Sequence, residues 1–444
     1  MSHPKYPHYK PSAVDWLGDV PAHWEIRRFK NIFKEREERS ADGSELLLSV
    51  SAYTGVSPRS EIVDEGDHLS RAESLEGYKI CRKDDLVMNI MLAWNRGLAF
   101  TNYDGIVSPA YCVFDVIDGS SPKFLDYLVR SNEYTLYYKA FSSGVIDSRL
   151  RLYPDTFGSL TCGLPPLPEQ TQIAEFLDRE TAKIDALVAE QRRLMELLKE
   201  KRQAVISHAV TRGLNPSAPL KPSGIDWLGN VPAHWEIKRL RFLAEMNPSK
   251  TEISELSGDT LVSFLPMESI GEDGSLILET EKKIEEVETG YTYFRNGDVA
   301  FAKITPCYEN GKGAVMRNLT NGIGFGTTEL IVVRPHITEL DASYLHYVFI
   351  SSEFRSLGES YMYGAGGQKR VPDSFVANFA TVIPPLAEQT AIVRHLDAQT
   401  AKFDALTAEA ERAITLLQER RTALISAAVT GQINVTGASC SHAN

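Results

Sequence analysis

The chain contains the stretch Pro165-Pro166-Leu167-Pro168-Glu169-Gln170-Thr171 and repeats it, with one substitution, as Pro384-Pro385-Leu386-Ala387-Glu388-Gln389-Thr390. Each copy leads into a long run, to Arg212 and to Thr430, in which apolar residues recur at steps of three and four. Such spacing over about five heptads is typical of a coiled coil. The proline pair before each run and the glycine after it, Gly213 or Gly431, predict where each helix begins and ends.

The interface between these two helices is predicted from the large apolar residues on that spacing. They are Ile173, Leu177, Ile184, Leu187, Leu194, Leu198, Ile392, Leu396, Phe403, Leu406, Leu417 and Leu424. Both helices are mostly acidic in their first half and mostly basic in their second half. Antiparallel pairing would therefore set opposite charges against each other. The same polarity also complements each helix's own dipole, so it favours antiparallel packing without requiring it.

A second repeat shows that the whole chain is a tandem duplication. Residues 15–26 recur as residues 226–237 with one difference, and the framework residues Arg82 and Asp85 align with Arg295 and Asp298. Two copies are too few for a solenoid, so we expect a pseudo-twofold molecule. The repeated tryptophans are predicted packing anchors, because residues that read two different targets should not be identical. They are Trp16, Trp24, Trp227 and Trp235.

Short β-rich runs fill the diverged region of each copy, and one clear helix lies near its end. The expected fold is therefore α+β: two β-rich α/β domains separated by two long helices that form an antiparallel coiled coil. The predicted boundaries are an N-terminal segment (1–20), a first variable domain (21–166), a central helix (167–212), a linker (213–231), a second variable domain (232–385), a distal helix (386–431) and a disordered tail (432–444).

Composition limits the functional classes. The net charge of −12 disfavours a broad nucleic-acid-binding surface, so any DNA site must be local or built partly by a more basic partner. The 5 cysteines show neither metal-ligand nor disulfide spacing, and no apolar run spans a bilayer, so we expect a cytoplasmic protein without a metal. Phosphate-loop, methyltransferase-tetrad, zinc-protease and nucleophile-elbow motifs are missing, which predicts a binding protein rather than an enzyme.

Side chains suited to DNA lie in the loops that differ between the two copies. Arg and Lys match guanine, and Asn and Gln match adenine, while exposed glycines let backbone approach phosphate. The equally simple reading of each is a solvated surface residue or, for the aromatic ones, a core residue. The candidates are Trp94, Asn95, Arg96, Ser108, Tyr111, Arg149, Arg151, Lys303, Tyr308, Asn310, Lys312, Thr327, Thr328, Gln368, Lys369 and Arg370.

The order of motifs resembles the specificity subunit of type I restriction-modification systems. Trp-Leu-Gly-x-Val-Pro-x-His-Trp, a variable domain, and Pro-Pro-Leu-x-Glu-Gln-Thr before a long helix occur twice, over nearly the whole chain. Residues 82–89 and 105–111 resemble one kind of target recognition domain, and residues 296–307 with 327–329 resemble another. One departure is Asp84, where the family usually has Gly.

This resemblance implies a non-catalytic subunit that directs a DNA adenine methyltransferase and restriction complex. The variable domains would be target recognition domains, namely recognition domain 1 (21–166) and recognition domain 2 (232–385). Each would bind one half of an asymmetric bipartite site on double-stranded DNA, with the helices as a ruler. Two methyltransferase subunits would dock on the helices and supply S-adenosylmethionine, with restriction subunits as optional further partners. This chain itself would bind no cofactor.

Two alternatives remain at this stage. A coiled-coil scaffold that binds protein or glycan partners predicts no salt-dependent DNA affinity. A self-sufficient DNA methyltransferase predicts S-adenosylmethionine binding by the isolated chain, and the missing catalytic tetrad disfavours it.

Overall fold

The chain divides into two compact units in the computed structural model, which describes residues 3–52, 54–61, 74–146, 149–365 and 367–436. The first unit comprises Met1–Gln191 with Glu411–Asn444, and the second comprises Arg192–Ala410. The boundary after Gln191 falls inside the first long helix, and the boundary after Ala410 falls inside the second. Each recognition domain therefore forms one unit with half of each helix.

The first unit contains twelve labelled strands and three short helices within the described residues. The strands are β1 (Tyr9–Pro11), β2 (Asp19–Pro21), β3 (Glu25–Arg28), β4 (Phe33–Glu35), β5 (Leu48–Ser51), β6 (Gly55–Pro58), β7 (Lys79–Cys81), β8 (Leu86–Asn89), β9 (Leu98–Phe100), β10 (Gly105–Val107), β11 (Tyr111–Val116) and β12 (Thr161–Leu164). The helices are α1 (Pro122–Val129), α2 (Asn132–Phe141) and α3 (Pro154–Ser159), and the long helix α4 (Leu167–Arg212) follows.

The second unit repeats this order with additional strands. Its strands are β13 (Leu220–Pro222), β14 (Asn230–Pro232), β15 (Glu236–Arg239), β16 (Ala244–Met246), β17 (Leu261–Leu265), β18 (Glu281–Lys283), β19 (Thr292–Arg295), β20 (Val299–Ala302), β21 (Gly313–Val315), β22 (Ile323–Gly326), β23 (Leu330–Pro335), β24 (Tyr363–Ala365), β25 (Gln368–Arg370) and β26 (Ala380–Ile383). Its helices are α5 (Ile284–Val287), α6 (Ala342–Phe349), α7 (Ser352–Tyr361), α8 (Asp373–Asn378) and the long α9 (Leu386–Val429).

Each unit contains its own four-stranded antiparallel sheet, and the two sheets have the same strand order. The order is β4-β11-β8-β9 in the first unit and β16-β23-β20-β21 in the second. The pairs β3–β12 and β15–β26 also correspond. The second unit adds a mixed sheet in the order β18-β17-β22-β19, with a separate apolar core. A shared framework with different additions is the structure expected of a diverged duplication.

Trp24 of the first unit is fully buried between the beginning of α4 and the end of α9. Glu169, in the first turn of α4, accepts hydrogen bonds from Trp24 Nε1 at 3.0 Å and from Tyr6 Oη at 2.6 Å, and lies 2.6 Å from His23 Nε2. Gly431 ends α9 at φ 75°, where a Cβ would lie 3.2 Å from the Trp24 ring. The repeated sequence motifs thus meet in one cluster.

Trp235 occupies the matching place in the second unit. Its Nε1 donates to Glu388 at the beginning of α9 (3.0 Å), and His234 Nε2 lies 2.8 Å from the same carboxylate. Gly213, which ends α4 at φ 76°, would place a Cβ 3.0 Å from the Trp235 ring. Trp24 and Trp235 are fully buried, whereas Trp16 and Trp227 are half-buried and pack against the cores of the first and second unit, so all four serve packing as predicted.

The glutamine of each Pro-Pro motif attaches the long helix to the recognition domain. Gln170 accepts from Ser121 N (2.8 Å) and donates to Pro165 O (2.9 Å). Gln389 accepts from Asp341 N at 2.8 Å in the same way. Ser121 and Asp341 are the N-caps of α1 and α6, so each glutamine holds the beginning of a recognition-domain helix.

A tyrosine from the same short helix makes the second attachment. Tyr127 Oη donates to Asp178 of α4 at 2.8 Å, and Tyr347 Oη donates to Asp397 of α9 at 2.7 Å. Each recognition domain is therefore fixed to a long helix at two points about two turns apart, through side chains that the duplication repeats.

The long helices pack antiparallel, as the charge pattern predicted. Asp185 of α4 pairs with Arg421 of α9 in the first unit, at 2.9 Å from Arg421 Nε. Arg202 of α4 pairs with Asp404 of α9 in the second unit. The partner number falls from 421 to 404 as the α4 number rises from 185 to 202, which is a single antiparallel register.

The predicted interface role of three leucines is wrong. Leu187, Leu194 and Leu406 are 51%, 41% and 50% exposed. The side chains turned inward lie at alternating steps of three and four through neighbouring positions, several of them polar. They are Thr181, Ile184, Val188, Gln191, Met195 and Leu198 in α4, and Thr400, Phe403, Thr407, Ala410, Ile414 and Leu417 in α9. The prediction from large apolar residues included Ile184, Leu198, Phe403 and Leu417. It missed the polar and small members of this seam, and it chose Leu187 where the adjacent Val188 is buried.

Two predicted segments are more ordered than expected. The predicted linker 213–231 contains β13, whose pairing with β14 copies that of β1 with β2. The first residues of the predicted disordered tail also pack: Val435 is buried in the core of the first unit, and Asn434 N donates to Pro4 O at 2.7 Å. Residues 437–444 lie outside the described part of the chain. The other predicted boundaries stay predictions.

None of the helices within the described ranges combines the length and apolar character needed to cross a membrane.

Candidate nucleic-acid interface

A cleft of about 480 Å³ in the second unit brings together several of the predicted DNA-binding residues. Lys303 follows β20, Thr328 precedes β23, and Arg370 ends the hairpin strand β25. All three line the cleft together with Glu329 and Tyr363. Residues far apart in the sequence thus form one surface.

An Arg–Glu pair lies in this cleft. Arg370 Nε donates to Glu329 Oε2 at 2.9 Å, and Arg370 Nη2 donates to Glu329 Oε1 at 2.7 Å. The hydrogen bond from Arg370 lowers the pKa of the Glu329 carboxyl, and nearby Lys303 acts in the same direction. The carboxylate in turn raises the pKa of Arg370. Both groups are therefore charged at neutral pH.

Backbone hydrogen bonds hold the three segments of the cleft in place. Lys303 N donates to Glu329 O (2.8 Å), and Val371 N donates to Lys303 O (2.9 Å). Thr305 fixes the hairpin: its N donates to Lys369 O, and its Oγ1 donates to Gly367 O at 2.7 Å. The side chains that line the cleft consequently project from a connected backbone.

The hairpin β24–β25 requires glycine within its first strand. Gly364 has φ 139°, and a Cβ there would lie 2.3 Å from Gln368 O. Gln368 and Lys369 are exposed on the second strand, as a nucleic-acid contact requires. Gly366 lies outside the described residues.

The remaining candidates of the second unit divide between core and surface. Tyr308 is a correction: it is 2% exposed, packs on Phe301, and its Oη donates to Phe354 O at 2.8 Å, so it is a core residue. Asn310 is exposed. Lys312 Nζ donates to Met267 O at 3.2 Å, and Thr327 Oγ1 accepts from Glu329 N at 3.2 Å.

In the first unit, Trp94, Asn95 and Arg96 form a tight turn after β8. Trp94 is half-buried against the core, and its Nε1 donates to Met91 O at 2.9 Å. Asn95 is exposed, and Arg96 has the left-handed φ of 60°. This turn presents Asn95 and Arg96 outward, whereas the Trp94 ring serves packing.

Arg149 and Arg151 lie in the first unit's counterpart of the hairpin. Ser143 and Arg151 exchange backbone hydrogen bonds of 2.9 and 3.0 Å, and Leu152 N donates to Ile90 O at 2.9 Å. The last bond matches the one from Val371 to Lys303 in the second unit. Both arginines are exposed. Among the described residues, neither has an acidic partner.

Ser108 and Tyr111 contribute little exposed surface. Ser108 Oγ accepts from Ala110 N at 3.4 Å, which caps the turn before β11. Tyr111 is half-buried and packs on the small apolar core of β5, β6 and their neighbours.

Sequence reasoning left Glu329 out of the site. Glu329 directly follows the candidates Thr327 and Thr328, but the sequence carries no signal that its carboxylate pairs with Arg370, 41 residues later. Tyr363, 62% exposed at the edge of the same cleft, was missed for the same reason.

No protein-family model matches the chain. The type I restriction enzyme EcoAI specificity subunit of Escherichia coli is 47% identical over 165 residues, which covers 37% of this chain and 27% of that protein. The EcoEI specificity subunit of the same organism is 44% identical, with the same coverage. The alignment thus spans about a quarter of the length of these two relatives.

Longer alignments are more distant. The MjaVIII specificity subunit of Methanocaldococcus jannaschii is 22% identical over 435 residues, which covers 94% of each chain. A chain solved in work on complex assembly and conformational transition of the type I R-M system has a TM-score of 0.65 at 16% identity, covering 92% of this chain and 98% of that one. The HsdS subunit from Thermoanaerobacter tengcongensis has a TM-score of 0.53 at 18% identity, with coverage of 93% and 98%. At these identities the two structures bear on the fold alone.

Proposed function

We propose that this chain is a specificity subunit of a type I restriction-modification system, which supplies the DNA sequence specificity of the complex and leaves the chemistry to its partners. The observation that carries the proposal is the duplicated framework with different loops at the same place. Identical anchors hold each recognition domain to the long helices, whereas the residues around β25 and its counterpart differ in charge and length.

Each unit reads one half of a bipartite, asymmetric DNA site. The second unit offers an Arg–Glu pair with Lys303 in a cleft, and the first offers Arg149, Arg151 and the turn around Asn95. These are different sets of donors and acceptors, so they match different base edges. Two unlike readers on one framework favour two unlike half-sites.

The helix pair acts as the ruler between the half-sites. Its support is that each recognition domain is attached to the helices by repeated side chains, namely the glutamine and tyrosine contacts described above. A gap of about one turn of DNA between half-site centres follows from the general geometry of two-part readers that approach one side of the duplex.

Two methyltransferase subunits dock on the helices. Exposed leucines support this: Leu187 and Leu416 in the first unit, and Leu406 and Leu197 in the second. Leu406 follows Leu187 by 219 residues, and Leu416 follows Leu197 by 219, the offset of the Pro-Pro motifs. Each unit thus exposes the same pair, which fits one copy of the same partner per unit.

These partners bring the reaction and its cofactor. A methyltransferase subunit binds S-adenosylmethionine and flips the target adenine out of the stack. Restriction subunits join the same complex. The net charge of −12 fits this division, since more basic partners would supply most of the contacts to the DNA backbone.

The test is to co-express the chain with its methyltransferase subunit in an unmethylated host and to map N6-methyladenine across the genome. The expected result is a bipartite motif with a fixed gap that disappears when this chain is omitted. Methylation that is independent of the chain would contradict the proposal and favour the scaffold alternative.

A further inference from the structure

From the geometry of the cleft in the second unit, we infer that Glu329 is a positioning residue that makes Arg370 the reader of a guanine in the half-site of that unit. The inference rests on the proposed function. Within that function it assigns guanine as the base, Arg370 as the residue that contacts it and Glu329 as the residue that orients Arg370.

The guanidinium has two edges, and the structure separates their tasks. Glu329 occupies the edge formed by Nε and Nη2, through bonds of 2.9 and 2.7 Å. The other edge, formed by Nη1 and the second hydrogen of Nη2, has no acceptor among the described residues. It carries two parallel N–H donors, which match guanine O6 and N7 in the major groove.

The surroundings fix the direction of that free edge. Arg370 is 35% exposed and Glu329 is 25% exposed as side chains, so the pair lies at the surface of the cleft rather than beneath it. Lys303 N bonds to Glu329 O, and Thr305 bonds to the hairpin next to Arg370. An arginine held by a fixed carboxylate loses less conformational entropy on binding than a free one.

The pair is not required by the fold. A half-exposed ion pair contributes little to stability, because solvent screens the attraction and both side chains lose conformational freedom. The first unit builds the same framework with Arg151 at the matching place and no acidic partner for it in the described residues. The Glu329 carboxylate is therefore best explained as a group that orients Arg370 for its contact with DNA.

The test compares the methylation motifs of complexes that carry Glu329→Gln, Glu329→Ala or Arg370→Lys with the wild-type motif. Lysine keeps the charge but has no planar fork, so R370K should lose the preference for guanine at one position by about tenfold or more. E329A should relax the same position, and E329Q should do so less, because its amide oxygen still accepts one hydrogen bond. All other positions, including the whole other half-site, should keep their preference.

Asp259→Asn is the matched control. Asp259 is an exposed carboxylate of the same unit that pairs with Lys283, away from the cleft. The D259N complex should give the wild-type motif, and all variants should share the wild-type unfolding midpoint within experimental error.

Two results would overturn the inference. One is a wild-type bipartite motif that R370K and E329A leave unchanged at every position. The other is a loss spread evenly over both half-sites, which would indicate a general weakening of binding. Absence of any chain-dependent motif in the wild type would instead contradict the proposed function, so the two failures are distinguishable.

Discussion

The most informative single residues are the acids that the duplication repeats. Asp85 and Asp298 are buried and each receives two hydrogen bonds from one arginine. Arg36 donates hydrogen bonds of 2.8 and 2.9 Å to Asp85. In the second unit the donor is Arg334 on β23, the equivalent of β11, with hydrogen bonds of 2.6 and 2.9 Å to Asp298. Asn247 stands where Arg36 would be. The two copies kept the acid and moved its partner between strands.

Asp84 stands where the family that the sequence resembles usually has glycine, and the backbone of Asp84 has a conformation that favours glycine. It has φ 69°, as Gly297 has φ 93° at the matching place of the second unit. Aspartate tolerates this left-handed region better than most residues with a side chain, so the turn survives the substitution.

Glu169 should contribute more to stability than Glu388. Glu169→Ala leaves Tyr6 and Trp24 without their shared acceptor inside the core and should cost about 2–4 kcal/mol of the free energy of unfolding. Glu388→Ala should cost less, because the Glu388 carboxylate is 29% exposed and water can replace it. Urea unfolding of both variants measures the difference. Equal losses would contradict the assigned hydrogen-bond network.

His346 should make the protein less stable in mild acid. Burial and the nearby Arg317 lower the pKa of His346 to about 4, although Asp273 opposes them. The folded state therefore keeps the imidazole neutral, while the unfolded chain binds a proton below about pH 6.5. Above that pH, His346 does not reduce the free energy of unfolding. Toward pH 4 the free energy of unfolding falls by at most about 1.4 kcal/mol per pH unit.

Urea unfolding at pH 7 and pH 5 checks this prediction. His346→Gln should lose less stability between the two pH values than the wild type does. The same loss in both proteins would show that other groups cause the acid sensitivity.

At the scale of elements, the long helices pair through a seam that contains threonine, glutamine and alanine as well as large apolar residues. Leu198 is 8% exposed and belongs to this seam, whereas its neighbour Leu197 is 47% exposed. Two adjacent leucines on one helix thus have different roles, one in folding and one on the surface.

Leu198→Ala and Leu197→Ala form a matched pair of tests. The first should cost about 2–4 kcal/mol of unfolding free energy, because it leaves a cavity between the helices. The second should cost well under about 1 kcal/mol. Under the proposed function, L197A should instead weaken co-purification of the methyltransferase subunit. The opposite order of stabilities would contradict the observed seam.

At the scale of the whole molecule, the ruler proposal predicts that the gap between half-sites follows helix length. Removing residues 188–194 together with 412–418 takes one heptad from each helix and lies between the ion pairs Asp185–Arg421 and Arg202–Asp404. Register is kept, and each helix shortens by about 10 Å. Methylation should move to a gap shorter by up to about three base pairs.

A single deletion provides the control. Removing only 188–194 shifts one helix against the other, so the two ion pairs cannot both form, and the protein should unfold at lower temperature. An unchanged gap after the paired deletion would refute the ruler.

The sequence by itself determined the duplication, the two long helices and their ends, and the tryptophan anchors, and it favoured the antiparallel direction of the helices. These features depend on local periodicity, glycine and proline positions and charge order, which a linear chain displays directly. It also selected Lys303, Thr328 and Arg370 as candidates for the same site, because they lie in loops that differ between the copies, and the three residues line one cleft.

Only the tertiary structure decided which side chains face inward and which side chains meet. It assigned Val188 rather than Leu187 to the helix seam, buried Tyr308, and joined Glu329 to Arg370. Such choices depend on contacts between segments distant in sequence, where the neighbours set burial and pairing. A residue pattern records that a side chain is apolar or charged, but the partner that satisfies it is supplied by the fold.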